Sequence, residues 1–183
     1  MTEEITRENY LRVTNILYPF SGLDKIDADI VANAAVRGTK VHNICESIAK
    51  GYGEFGVEDE TWGYVNSFKK WFETNPEILF IEKRFWDDEL KITGQIDFIC
   101  KIDGKIVVVD LKTSSKESKT WPVQGAAYAY LAKKSNHDVS KIHFIHLNRN
   151  GLQPKIFQYN VDDSLFLHTF RVYNHFYREK SNG

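Results

Sequence analysis

The stretch GQIDFICKIDGKIVVVDLKTS, residues 94–114, holds two carboxylates and an ammonium at spacings that can do chemistry. Asp110 and Lys112 are separated by one residue in an apolar, strand-like run. The period of two therefore puts both on one face, with Leu111 pointing the other way. Asp103-Gly104 is a hairpin signal, and the return of the chain at that turn sets Asp97 beside Asp110. Asp110 follows the four apolar residues Ile106-Val107-Val108-Val109, as expected of a central strand. An isolated carboxylate there is costly to desolvate, so it calls for a cation, either Lys112 or a metal. A hard divalent ion takes carboxylate oxygens, a backbone carbonyl such as that of Leu111, and a phosphate oxygen. Phosphodiester hydrolysis is the chemistry such a set supports. Lys112 can orient or help deprotonate water and stabilise transition-state charge. The plain alternative is an Asp–Lys pair at a fraying strand end. A second Asp at hairpin distance favours the functional reading.

The elements that must position these groups follow from periodicity and breakers. Residues 1–26 read as a lead-in with a short apolar stretch, Val13 to Phe20, stopped by Pro19 and the Ser21-Gly22 turn. Asp27 caps a helix from about Ala28 to Ala49, with Gly38 as a point of interruption, and Gly51 and Gly53 end it. A second amphipathic helix runs from about Asp59 to Thr74 and stops at Asn75-Pro76. Strands are expected over Ile78–Trp86, Ile92–Cys100 and Lys105–Leu111, the first two joined through Asp87-Asp88-Glu89. The polar loop TSSKESKT leads to a helix from about Pro122 to Lys134. Strands at Lys141–Leu147 and Lys155–Tyr159 and a helix from about Asp162 to Arg178 close the chain. The fold class is α/β: a helical N-terminal part, then a mixed central sheet flanked by helices, in one domain over 1–183.

Composition bounds the function. Hydrophobic residues make up 42% and aromatics 14%, enough for a real core. No window approaches the roughly 20 apolar residues of a membrane span, and the polar start lacks a secretory pattern, so a cytoplasmic protein is expected. Cys45 and Cys100 form no CxxC pair and cannot build an iron–sulfur site; they read as reduced packing thiols. No GxxxxGK[ST] loop exists, so no NTP-driven motor is expected. The net charge of −1 does not advertise nucleic-acid binding, but a local patch and a bound cation suffice for phosphate contact.

His42 and Glu46 lie four apart on the first long helix and share a face. By themselves they read as a partly buried histidine and a solvated glutamate. Gln124 and Tyr128 share a face of the Pro122–Lys134 helix, where packing is the plain alternative. Lys112, Lys116 and Lys119 place positive charge after the strand end. Lys116 and Lys119 can hold a nucleic-acid backbone and Trp121 can stack a frayed base, with a solvated loop as the equal alternative. His143 and His146 fall on opposite strand faces and are not a ligand pair.

In this order the motifs resemble the PD-(D/E)XK nucleases, in particular the RecB-like branch with its phage exonucleases. G-x-I-D, twelve residues, then D-L-K-T-S is similar to its core. Arg37-Gly38-Thr39-Lys40-Val41-His42-Asn43-Ile44-Cys45-Glu46 resembles its R-G-T-x-x-H-x-x-x-E element. Gln124-Gly125-Ala126-Ala127-Tyr128 resembles its Q-x-x-x-Y element, and Arg12 to Leu17 the opening strand or turn of phage members. The resemblance spans roughly residues 12–130. It implies a restriction-endonuclease-like core, and one or two Mg²⁺ or Mn²⁺ ions held by His42, Asp97, Asp110 and the Leu111 carbonyl. It also implies that Gln124 and Tyr128 organise the site, with Gln124 near Lys112 or the metal-bound water. Glu46 either orients His42 or pairs elsewhere. Glu82 matches a glutamate seen on the preceding strand, although a surface charge is the stronger expectation there. Arg37 and Lys40 are further candidates for DNA contact. The expected activity is a DNA nuclease acting on ends. The alternatives are an endonuclease, an inert DNA-binding subunit, or a metal-binding regulatory protein. The expected partner is DNA, with a second copy or a recombination or replication protein left open.

Overall fold

A computed structural model describes residues 8–178. Its elements in chain order are β1 (Leu11–Arg12), α1 (Val13–Ser21), α2 (Ala28–Ala49), α3 (Asp59–Phe72), β2 (Glu77–Asp87), β3 (Ile92–Ile102), β4 (Lys105–Lys112), α4 (Trp121–Lys134), β5 (Val139–His146), β6 (Lys155–Asn160) and α5 (Asp163–Tyr173). The six strands form one mixed sheet. Along it run β1-β3-β4-β5-β6, with β2 also paired to β3.

The sheet grows from three antiparallel pairs of consecutive strands and one crossover. Asp103 and Gly104 take φ of +50° and +75°, the left-handed pair that a two-residue hairpin requires, and they return β4 along β3. The crossover through α4 then lays β5 parallel to β4. α4 lies close on the sheet because it is built from small residues. A Cβ on Gly125 would stand 2.5 Å from the Ile142 side chain, so this helix could not approach as it does with any larger residue there.

Helices cover both faces. One apolar layer joins Val13, Ile16 and Leu17 of α1, Ala126 to Ala129 of α4 and Phe166 and Phe170 of α5 to Ile96, Val108, Ile142 and Phe144 of the sheet. The other joins Val41 and Cys45 of α2 and Tyr64, Phe68 and Trp71 of α3 to Phe98, Val107, Val109, Leu111 and Ile145. Both faces of β4 are therefore buried, which explains its unbroken run of valines. Among the described residues no helix is long and apolar enough to cross a membrane. Cys45 and Cys100 are both free and buried.

Three local expectations are corrected. The stretch from Val13, read as a lead-in stopped at Pro19, is a helix with Pro19 inside it, preceded by a short strand parallel to β3. Pro19 sits in the last turn, where its missing N–H leaves the Asn15 carbonyl without its helical donor, and the helix ends two residues later. Second, Gly38 does not interrupt α2. A Cβ there would meet Thr113 Oγ1 at 3.4 Å, an ordinary contact, so the helix runs past the end of β4 without a break. Third, the last α-helix ends at Tyr173, and Asn174–Arg178 continues as a π-helical turn. The cap at Asp27 forms as read, and Asp162 caps the last helix in the same way, each carboxylate accepting from two backbone N–H groups.

Candidate active site

The site lies at a gap in the sheet. On the edge of β3 opposite β2, β1 pairs with Ile92 and Thr93, and β4 pairs with Phe98 to Ile102. Gly94 to Asp97 fall between them. Beyond Val109, β4 departs from the β3 ladder, and the Asp97 carboxylate fills the opening: its Oδ2 accepts the Leu111 N–H at 2.6 Å. Its Oδ1 faces His42 Nδ1 at 3.2 Å, which brings α2 over the gap.

Asp110 and Lys112 share the face covered by α4. Lys112 Nζ donates to Gln124 Oε1 at 2.9 Å and stands 5.2 Å from the centre of the Phe144 ring. Gln124 Nε2 donates to the Tyr128 hydroxyl at 3.0 Å and reaches Asp110 Oδ1 at 3.5 Å. Lys112 Nζ approaches Asp110 Oδ2 to 2.7 Å, yet not along a hydrogen-bond direction. That oxygen is buried and has no hydrogen-bond donor. A buried carboxylate oxygen in that state is costly unless a cation takes it.

The two aspartates are driven apart electrostatically. Burial penalises the charged form of Asp97, but the His42 ring, the Leu111 N–H and Lys112 outweigh it and hold its pKa below the ordinary value. Burial and the neighbouring Asp97 charge push Asp110 up to about 6, against the pull of Lys112. His42 is penalised by burial as well, yet Asp97 and then Asp110 raise it to about 9. Without a metal, positive charge from His42 and Lys112 thus neutralises the carboxylate pair. Burial keeps Tyr128 a neutral phenol.

Glu82, expected as a surface charge on its strand, is brought into this cluster. Ile81 pairs with Phe98 and Lys83 with Ile96, which sets Glu82 across from Asp97. Its φ of +50° is left-handed, a conformation that costs a non-glycine residue about 1 kcal/mol or more and is found mostly where function needs it. Burial and the Asp97 charge raise its pKa to about 7, with Gln95 Nε2 donating to it at 2.6 Å. One ligand atom from each of His42, Glu82 and Asp97 lies within 4.8 Å of the others, close enough to share an ion. The donors are two carboxylates and one imidazole, a set that fits a hard or borderline divalent cation; Asp110, expected to share this ion, is not one of the three.

Other sequence candidates lie elsewhere. Glu46 pairs with Lys50 one turn along α2. Trp121, read as a surface for a base, is 3% exposed and stacked on Phe144 at 5.4 Å, because the first turn of α4 packs onto β5. Lys40, read as a DNA contact, is held by Glu58 and Glu60 at 2.8 and 2.9 Å, so its charge is already answered. Lys116 and Lys119 are exposed on the loop after β4. Arg37 stands over the Tyr64 ring, 5.7 Å from its centre.

Comparison with known proteins agrees with this architecture. A family profile described as the PD-(D/E)XK nuclease superfamily matches residues 27–175. No curated protein matches the sequence. Among solved structures, the protein SSO0001 aligns over 96% of this chain and 80% of its own, at 15% identity and a TM-score of 0.55. An alkaline exonuclease from Laribacter hongkongensis, LHK-Exo, aligns over 96% of this chain and 90% of its own, at 12% identity and a TM-score of 0.53. At such identities the likeness is one of fold, and it accords with a restriction-endonuclease-like core.

Proposed function

The chain belongs to the PD-(D/E)XK nuclease superfamily, and from that premise we propose that it is a divalent-metal-dependent deoxyribonuclease acting on DNA ends. The observation that carries this is the cluster of His42, Glu82 and Asp97, whose ligand atoms lie within 4.8 Å of one another, with the buried Asp110 carboxylate 2.7 Å from Lys112 and in the field of Asp97 and His42. Asp97, Asp110, His42 and Glu82 would hold Mg²⁺ or Mn²⁺, one ion or two. In an extended strand the N–H and C=O of a residue point the same way, so the Leu111 carbonyl faces the side where Asp97 stands and would be a further ligand. When bound, the cation supplies Lewis acidity at the scissile phosphate and a lowered pKa for water.

The chain's own groups do the rest. Lys112 is fixed by Gln124, which is fixed in turn by Tyr128, so its ammonium keeps one place. From there it orients a water for attack and offsets the charge that develops on the phosphate. Asp97, held ionised, aligns His42. Asp110 and Glu82, whose pKa values are raised, gain most from a cation replacing the proton.

The deciding assay incubates the protein with linear, circular and single-stranded DNA in Mg²⁺, Mn²⁺ or EDTA. Metal-dependent loss of linear DNA alone is the expected result. Nicked circles would make it an endonuclease, and persistence of every substrate would mean an inert subunit.

A further inference from the structure

Past the end of β4, where Lys112 pairs with His146 of β5, is a basic hollow that the chemistry above leaves unused. It has a volume of about 370 Å³ and is lined by Arg37, Tyr64, Ser114, Ser115, Asn148 and Arg149, with His146 at its side. No carboxylate lines it. Neither arginine is in an ion pair among the described residues, and the Nε of Arg37 is buried without a partner. The acid whose field reaches Arg37 is Glu60, already bound to Lys40.

The hollow is built rather than incidental. Arg37 rests over Tyr64, which fixes the plane of its guanidinium. Arg149 sits in the turn after β5, and that turn is docked on α3. The Asn148 N–H donates to the buried Ser67 Oγ at 2.9 Å, and the Asn150 N–H donates to Asn148 Oδ1 at 2.8 Å. A Cβ on Gly63 would lie 1.7 Å from the Arg149 carbonyl oxygen, so α3 carries a glycine where the turn meets it. Glycine inside a helix costs about 1 kcal/mol relative to alanine. The cost secures an exposed arginine opposite Arg37.

The Ser114 hydroxyl donates to the Lys116 carbonyl at 2.8 Å. Two guanidiniums and the Ser115 hydroxyl without an acid suit a tetrahedral oxyanion. Distance identifies which one. Ser114 lies two residues beyond Lys112, roughly 7 Å along an extended chain. Arg37 precedes His42 by five residues of helix, about 7.5 Å. Both displacements are about twice the roughly 3.4 Å axial rise per base, the size of the step between neighbouring phosphates of one strand. We propose that it holds a phosphodiester one or two nucleotides from the scissile bond, with Arg37 and Arg149 as positioning residues. This rests on the nuclease reading.

The test uses oligonucleotides bearing one neutral methylphosphonate at each position around the cleavage point. Binding is read by anisotropy in Ca²⁺ with the Lys112→Ala protein, and cleavage is read separately with the parent. One flanking methylphosphonate should weaken binding about tenfold, the loss of a single charge-assisted contact. Adding Arg149→Ala should produce a similar loss on unmodified DNA and abolish the effect of that position alone. Arg37→Gln should map to the same phosphate, and it guards against a local defect in the turn. Unchanged binding by Arg149→Ala, or additive losses at every position, overturns the assignment. If the parent cuts no DNA, the nuclease reading falls, while the binding map still decides the hollow.

Discussion

Asp87 at the end of β2 and Asp110 near the end of β4 flank β3 in one sheet, and each is 3% exposed, yet they are opposite kinds of buried carboxylate. Asp87 is fully answered. Its Oδ1 accepts the N–H groups of Glu89 and Leu90 at 2.8 and 3.0 Å, and its Oδ2 accepts the Tyr130 hydroxyl at 2.6 Å. Against the penalty of burial, Tyr130 and the two amides hold its pKa down. Asp110 has a second carboxylate for a neighbour, one oxygen without a donor, and a pKa raised to about 6. Equal burial with unequal satisfaction separates a carboxylate that holds a turn through hydrogen bonds from one whose Oδ2 is held by the charge of Lys112 alone.

The comparison breaks most sharply on activity. Asp110→Asn and Lys112→Ala should each lower cleavage by about 10³-fold or more. Asp87→Ala should leave the rate within about threefold at temperatures where it is folded. Calorimetry with Mn²⁺ splits the first pair: Asp110→Asn loses the heat of binding and Lys112→Ala keeps it. Equal loss in both would mean that lysine and carboxylate have been given the wrong roles.

Stability should reverse the ranking. Asp87→Ala strips two turn amides and strands the Tyr130 hydroxyl, at a cost of about 2–3 kcal/mol in urea denaturation. Asp110→Asn in EDTA at pH 7 should cost less than about 1 kcal/mol, because it removes a charge that the fold disfavours. A larger loss there would show Asp110 to be structural.

The pH dependence of the two sites has opposite sign. Asp110 has a folded pKa above its unfolded one, so its ionisation opposes folding fully above about pH 6. That opposition is relieved as pH falls from 6 toward 4. In EDTA the parent should therefore gain on Asp110→Asn over that range, by on the order of 1–2 kcal/mol. Asp87 has a depressed pKa, so its contribution is present above the unfolded value near 4 and is lost only below it. The gap between parent and Asp87→Ala should be flat from pH 7 to 5 and shrink below 4. Chemical denaturation at four pH values reads both trends.

A smaller effect is expected at Glu82. Glu82→Gly relieves a positive φ and removes one ligand, so the metal-free protein should be as stable as the parent or slightly more so. Mn²⁺ affinity should fall about tenfold. Unchanged affinity would place Glu82 outside the coordination sphere. The smallest effects are expected on the surface. Replacing Lys116 and Lys119 together with alanine should weaken Ca²⁺-supported DNA binding only a few-fold and flatten its salt dependence. Lys40→Ala should change it less than about twofold, since Glu58 and Glu60 already hold that charge.

What could be read from residues alone was local. The helix caps, the Asp103-Gly104 hairpin and the placement of Asp110 and Lys112 on one strand face follow from turn chemistry and a period of two. The small-residue stripe of α4 belongs with them, because its spacing puts Gln124 and Tyr128 one turn apart. Other features depend on contacts between elements far apart in sequence. Glu82 enters the site through its pairing across β2 and β3 and a left-handed backbone, neither of which leaves a mark in the residues around it. Trp121 is withdrawn from solvent by β5. Lys40 is neutralised by the start of α3, and Arg149 is presented by a turn seated on Gly63. The gap between β1 and β4 also belongs to the tertiary structure. The sequence determined that two aspartates and a lysine would meet near a strand end, because a hairpin and alternation suffice for that. Only the packed sheet decided which further groups surround them, because burial and field at a point depend on every element that reaches it.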